Sequence, residues 1–134
     1  MNRIEHPERY NVGIKQFDNE HQQLVKMINM LYLTTENSEE DRVAQKLVIS
    51  LLVKFARTHF DGEETYMRHH QYPDLDKHHQ CHRVIYTQLL DLERRFEMST
   101  GPVSNHAYQF LLNWLDEHIL TEDKLYAEYA LNRS

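Results

Sequence analysis

Seven side chains carry the chemistry this sequence offers. His59 and Glu63, in the stretch ARTHFDGEETYM, stand four residues apart. Four residues advance about 40° around an α-helix, so both side chains stack on one face. His78 and His82 repeat that spacing, and His21, His118 and Asp123 complete five imidazoles and two carboxylates. Imidazole with carboxylate suits iron, zinc, manganese or copper. Seven donors exceed one tetrahedral zinc site and fit two ions about 3.5–4 Å apart, bridged by the carboxylates. The chain has no E-x-x-H, the mark of carboxylate-rich di-iron bundles, so this donor set is nitrogen-rich.

One histidine on an apolar face usually hydrogen-bonds within a core, and one H-x-x-x-H pair is common in a chain with ten histidines. Seven such residues together are a different matter. Each buried polar group without a partner costs about 1–3 kcal/mol, and a bare carboxylate more. A domain of this size has a net stability of about 5–15 kcal/mol. Seven such groups need a common partner, and a metal pair satisfies them together.

The elements that must position these residues are helices. Three glycines and three prolines in 134 residues, with long Leu, Glu, Gln, Lys and Arg stretches, indicate an all-α chain. Residues 1–17 read as an irregular arm, broken by Pro7 and Gly13. A first helix starts at Asp18 as N-cap and runs to about Thr35, with His21, Leu24, Val25, Ile28, Leu31 and Tyr32 inward. A second, capped by Ser38, runs from Glu39 to His70, with Leu52, Phe55, Ala56, His59, Glu63, Tyr66 and Met67 on one face. After the QYPD turn a third runs from Asp74 to Met98, turning Leu75, His78, His82, Ile85, Leu89, Leu92 and Phe96 inward. A fourth starts near Val103 and presents Tyr108, Leu111, Leu115 and His118. Short connections between amphipathic helices predict an up-down-up-down antiparallel four-helix bundle, one domain over residues 1–134. His118 and Asp123 are about 140° apart on a straight α-helix. The last helix therefore either widens into a π-bulge or ends between them.

Composition also excludes. A net charge of −6 without a Lys/Arg cluster argues against nucleic acid and anionic membranes as partners. The longest apolar run, LVISLLV, is too short to span a bilayer. MNRIEHPERY has no apolar signal region, and the lone Cys81 suits a reducing compartment, so a cytoplasmic location is expected. Cys81 reads as a free, partly packed thiol. His6, His69, His70, His79 and His106 fall off the inward faces and read as surface residues, and Glu64 reads as solvated. Gly62 fits either a close helix approach or a tolerated surface position.

The pattern resembles the hemerythrins, specifically the bacterial single-domain bacteriohemerythrins. The matching pieces are YNVGIKQFDNEHQQL at 10–24, HFDGEETYM at 59–67, YPDLDKHHQCH at 72–82 and WLDEHILTEDKLY at 114–126. In order, they cover nearly the whole chain. Two departures stand out. His6 replaces a frequent Trp four residues before the tyrosine, and FDNEH, with Phe17 and Glu20, replaces the frequent I-D-x-Q-H. The resemblance implies two iron ions bridged by Glu63, Asp123 and an oxo or hydroxo group. It places His78, His82 and His118 on one iron and His21 and His59 on the other, which keeps an open position for O₂.

Leu115, Trp114 and Phe55 fit ordinary core packing, and the resemblance implies that they also wall an O₂ pocket. Tyr66 and Tyr126 could donate hydrogen bonds near the site, though packing suffices for each. The expected function is reversible O₂ binding for storage, delivery or sensing, with a protein partner that receives O₂ left open. No inward acid or base remains over as a general base, so no catalytic residue is assigned and an enzyme is not expected. The alternative on the same scaffold is a di-iron oxidase, peroxidase or nitric oxide reductase.

Overall fold

The structure, a computed structural model, describes residues 4–33, 39–98 and 105–133. It is all-α: an antiparallel four-helix bundle whose helices follow the apolar periodicity. The rods are α1 (Lys15–Leu33), α2 (Glu39–His69), α3 (Leu75–Met98) and a fourth that runs without a break. The fourth rod comprises α4 (Asn105–Trp114), a π-helical segment (Leu115–Asp123) and α5 (Lys124–Arg133). The predicted π widening is thus present, and TEDKLYAEYALN continues the fourth helix. Hydrogen bonding from i to i+5 brings residues five apart to one side, which lets His118 and Asp123 face the axis together.

The main apolar core fills one end of the bundle with Leu24, Ile28, Leu52, Leu89 and Leu111. A smaller cluster of Phe17, Met67, Tyr126 and Ala127 closes the other. The polar constellation lies between them. No helix among the described residues is long and apolar enough to cross a membrane.

The helix boundaries differ at the start. The first helix begins at Lys15, so the arm ends at Ile14 rather than residue 17, and Asp18 is not its N-cap. The Asp18 carboxylate instead reaches back to accept the backbone N–H groups of Val12 (2.5 Å) and Gly13 (3.3 Å). It satisfies chain-entry donors from inside the first turn, a task sequence preference assigns to the residue before it. Thr35, Ser38 and Val103 lie outside the described residues, as do the side chains of Tyr32 and His106. The second helix ends at His69 and the third begins at Leu75. Between them Gln71 takes a positive φ of 54°.

The arm is packed rather than loose. Pro7–Tyr10 form a 3₁₀ turn, and Tyr10 is buried, its hydroxyl donating to Asp116 Oδ1 at 2.6 Å. Asn29 clasps the backbone of Ile4 through both its amide atoms, and Gln22 Nε2 donates to the Pro7 carbonyl.

Two glycines behave differently. A Cβ on Gly62 would lie 3.8 Å from Gln16 Nε2 and Phe17 Cε1, ordinary contact distances, so no close approach requires glycine there. Gly13 has φ +94°, and a Cβ there would lie 3.3 Å from Leu131 Cδ1. Gly62→Ala should therefore stabilise the chain by about 0.5–1 kcal/mol through helix propensity. Gly13→Ala should destabilise it by about 1–3 kcal/mol. Denaturant melts of both variants check the opposite signs.

Candidate metal centre

All seven predicted residues meet. His21, Glu63 and Asp123 have no exposed surface, His59, His78 and His82 are 2% exposed, and His118 is 5%. Each rod contributes, because each sends an inward residue from its apolar stripe at one level of the bundle. Donor atoms form two groups, each lying within 4.8 Å mutually: Glu63, His78, His82, His118 and Asp123, and His21, His59, Glu63 and Asp123. The groups share only the two carboxylates.

Glu63 Oε1 lies 3.2 Å from His59 Nε2 and 3.4 Å from His82 Nε2, while its Oε2 lies 3.7 Å from His21 Nε2. Asp123 Oδ1 lies 2.9 Å from His78 Nε2 and 3.1 Å from His118 Nε2, and its Oδ2 3.4 Å from His21 Nε2. Each carboxylate therefore spans from one group to the other.

Whether these residues fit a metal can be tested on their unsatisfied atoms. The Nε2 atoms of His21, His59, His82 and His118, with Glu63 Oε1 and Asp123 Oδ2, are buried without a hydrogen-bond partner. Orphaned buried polar atoms are rare, and here six converge on one spot. Three imidazoles are also held from behind. His21 Nδ1 donates to the Tyr10 carbonyl at 2.8 Å, His59 Nδ1 to Glu20 Oε1 at 2.6 Å, and His82 Nδ1 to Glu64 Oε2 at 2.7 Å. A proton engaged on Nδ1 leaves the Nε2 lone pair free and aimed inward, the arrangement a metal ligand needs. The donor set fits a binuclear cation site.

Glu64 corrects the sequence reading. It is not solvated: its side chain is 12% exposed and joins His82 to His79, whose Nδ1 lies 2.5 Å from Oε1. Helical angle put it off the inward face of α2, but α3 covers that flank. Glu20 was likewise missed, because only the α1–α2 packing reveals that it meets His59. His6, His69 and His79 are exposed, while His70 is half-buried against Tyr66, with ring centroids 4.3 Å apart.

Tyr126 donates to Glu63 Oε2 at 2.5 Å. Tyr66 packs edge-on against Phe17 instead. Trp114 and Leu115 are buried in the main apolar core. Phe55 is half-buried against the main core. The ring that meets the imidazoles is Phe60, stacked on His82 at 4.1 Å and edge-on to Trp114 at 5.8 Å. Its place on α2, one residue past His59, gives no sign of this in the sequence, because the contact is made across to α3. A groove of about 590 Å³ between α3 and the fourth rod reaches Trp114 and His118, with Cys81 half-buried in its wall.

The chain matches the family model for the hemerythrin HHE cation binding domain over residues 12–130. It is 29% identical to a bacteriohemerythrin of Methylococcus capsulatus, over 87% of this chain and 86% of that one. A bacteriohemerythrin of Pseudomonas aeruginosa is 30% identical, over 88% of this chain and 75% of the relative. A crystal structure titled as wild-type hemerythrin superposes with a TM-score of 0.82 at 25% identity, covering 97% of both chains.

The electrostatics of the metal-stripped cluster predict a pH signature. Burial alone would lower His21 and His59. Asp123 and Glu63 outweigh it for His21, raising it to about 10, and Glu63 and Glu20 outweigh it for His59, raising it to about 9. Burial likewise pushes Glu63 up, but the His59 charge and hydrogen bonds from three imidazoles hold it well below the usual carboxylate range. Burial and the Glu63 charge push Asp123 up, and His118 and His21 hold it low. A raised histidine stabilises the fold fully below its unfolded value of 6.5, and that contribution is lost as pH climbs through its folded value. The lowered carboxylates contribute above about 4.5 and lose that contribution as pH falls. Chelator-stripped protein should therefore lose thermal stability steadily from about pH 6.5 toward 9 and 10. Metal-loaded protein, in which the cation replaces those protons, should not, and its loading should release protons. Melting curves across pH, with and without metal, check this.

Proposed function

Because the chain belongs to the hemerythrin family, we propose that residues 1–134 act as one domain that binds O₂ reversibly. The cofactor is the family's pair of iron ions, for which this chain buries a His/Glu/Asp cluster. His78, His82 and His118 would hold one iron, His21 and His59 the other, and Glu63 and Asp123 would bridge them. Held there, two ferrous ions would supply reversible two-electron chemistry toward O₂.

What the chain's own residues do supports a carrier over an enzyme. The carrying observation is that seven buried donors converge in two groups that share Glu63 and Asp123. The Tyr126 hydroxyl, which reaches the donor set, is committed to Glu63. Burial, followed by the Glu63 and Asp123 charges, pushes that hydroxyl far above its usual value, so it keeps its proton. Its hydrogen bond fixes the Glu63 carboxylate rather than delivering a proton to a substrate. Phe60 and Trp114 present apolar surface next to the donors, and Leu115 and Phe55 belong to the core that Phe60 joins. Such surface keeps bulk water from the reduced pair and slows loss of electrons to solvent. Storage, delivery to a protein partner and sensing all use this one equilibrium, and a cytoplasmic setting fits the single free cysteine.

Anaerobically reduced, iron-loaded protein should be colourless, hold two irons per chain, and gain a visible band in air that vanishes when O₂ is removed. Immediate oxidation without a lasting adduct, or turnover with peroxide or nitric oxide, would favour the enzyme reading. Glu63→Ala and Asp123→Ala should each abolish the binuclear site. Full iron content and an unchanged O₂ spectrum in both would overturn the ligand assignment.

A further inference from the structure

Two carboxylates outside the donor set stand in parallel positions, one behind each half of the centre. Glu20, on α1, accepts the His59 Nδ1–H at 2.6 Å. Glu64, on α2, accepts the His82 Nδ1–H at 2.7 Å. Each is held in turn by a second donor: Gln16 Nε2 lies 3.3 Å from Glu20 Oε2, and His79 Nδ1 lies 2.5 Å from Glu64 Oε1. Their side chains are 24% and 12% exposed, so both bonds are largely shielded from water. The third observed anchor, the Tyr10 carbonyl behind His21, is neutral.

We infer that Glu20 and Glu64 are positioning residues, one for each iron, that orient His59 and His82 and strengthen them as donors. The inference rests on the di-iron reading above. The physical reason is direct. A carboxylate accepting Nδ1–H fixes the ring's tautomer and rotation and draws the proton partly away. The Nε2 lone pair becomes more basic and favours the more highly charged metal. A carbonyl orients the ring but carries no net charge to add to that effect. His59 and His82 belong to different halves of the centre, so each iron has one histidine strengthened in this way.

The test uses Glu20→Gln and Glu64→Gln, which keep an acceptor oxygen and remove the charge, beside Glu20→Ala and Glu64→Ala. Asp61→Asn removes an exposed charge from α2 as a control. Anaerobic Fe(II) titration of the stripped proteins, against a competing chelator, should show about 10–100-fold weaker loading in the Ala variants. The Gln variants should lose less affinity but show a raised ferric/ferrous potential, a readout that loss of packing alone would not move in that direction. Asp61→Asn should change neither. Circular dichroism of the stripped Gln variants should match the parent chain. Parent protein that loads two irons beside Gln and Ala variants of unchanged affinity and potential would overturn this inference alone. Parent protein that takes up no iron pair would overturn the di-iron reading and this inference with it.

Discussion

Two carboxylates without any exposed surface, Glu63 and Asp123, sit at the centre of this bundle, and the rest of the architecture answers to them. An ionised carboxylate removed from water costs several kcal/mol unless it is paired and hydrogen-bonded. Here each is ringed by imidazole nitrogens at 2.9–3.7 Å, and Glu63 also accepts the Tyr126 hydroxyl. Every rod is obliged to send a polar side chain to this level, at the expense of continuous apolar packing. That is why the core is split into two clusters on either side. The fold tolerates the arrangement because cations can do what protons do there, and hold more donors at once.

Satisfying the carboxylates is not enough; the imidazoles need a fixed direction. The bundle supplies it from three sources of different character. The N-terminal arm contributes the Tyr10 carbonyl behind His21, α1 contributes Glu20 behind His59, and α2 contributes Glu64 behind His82. The arm thus earns its ordered packing. Tyr10 donates its hydroxyl to Asp116 on the π segment, while its backbone carbonyl holds His21 on α1, so the arm ties the first rod to the fourth.

The π segment solves the remaining geometric problem. An ordinary α-helix cannot turn residues 118 and 123 to one side. Widening over Leu115–Asp123 does so without breaking the rod, and it keeps Leu115, His118, Ile119 and Asp123 buried together. Irregular helix is less favourable than α-helix, so its persistence over nine residues fits a site that over-determines it.

Much of this was legible in the sequence because helical periodicity is local. The angles of His59 against Glu63 and of His78 against His82 follow from spacing alone. The 140° mismatch of His118 and Asp123 was enough to demand a π widening or a helix end. The seven donors, the four rods and the inward faces are consequences of the same arithmetic. What the sequence could not decide were relations between elements. Glu64 sits off its helix's inward face and looked solvated, yet α3 closes over it and gives it two histidines. Glu20 and Phe60 lie next in sequence to donors, but which imidazole each meets depends on which rods are neighbours. Asp18 looked like a cap, and only the path of the arm turned its carboxylate back to Val12 and Gly13. Sequence by itself determined which residues could serve one metal pair. Tertiary packing decided what stands behind them, because a contact between rods depends on distances no single helix contains.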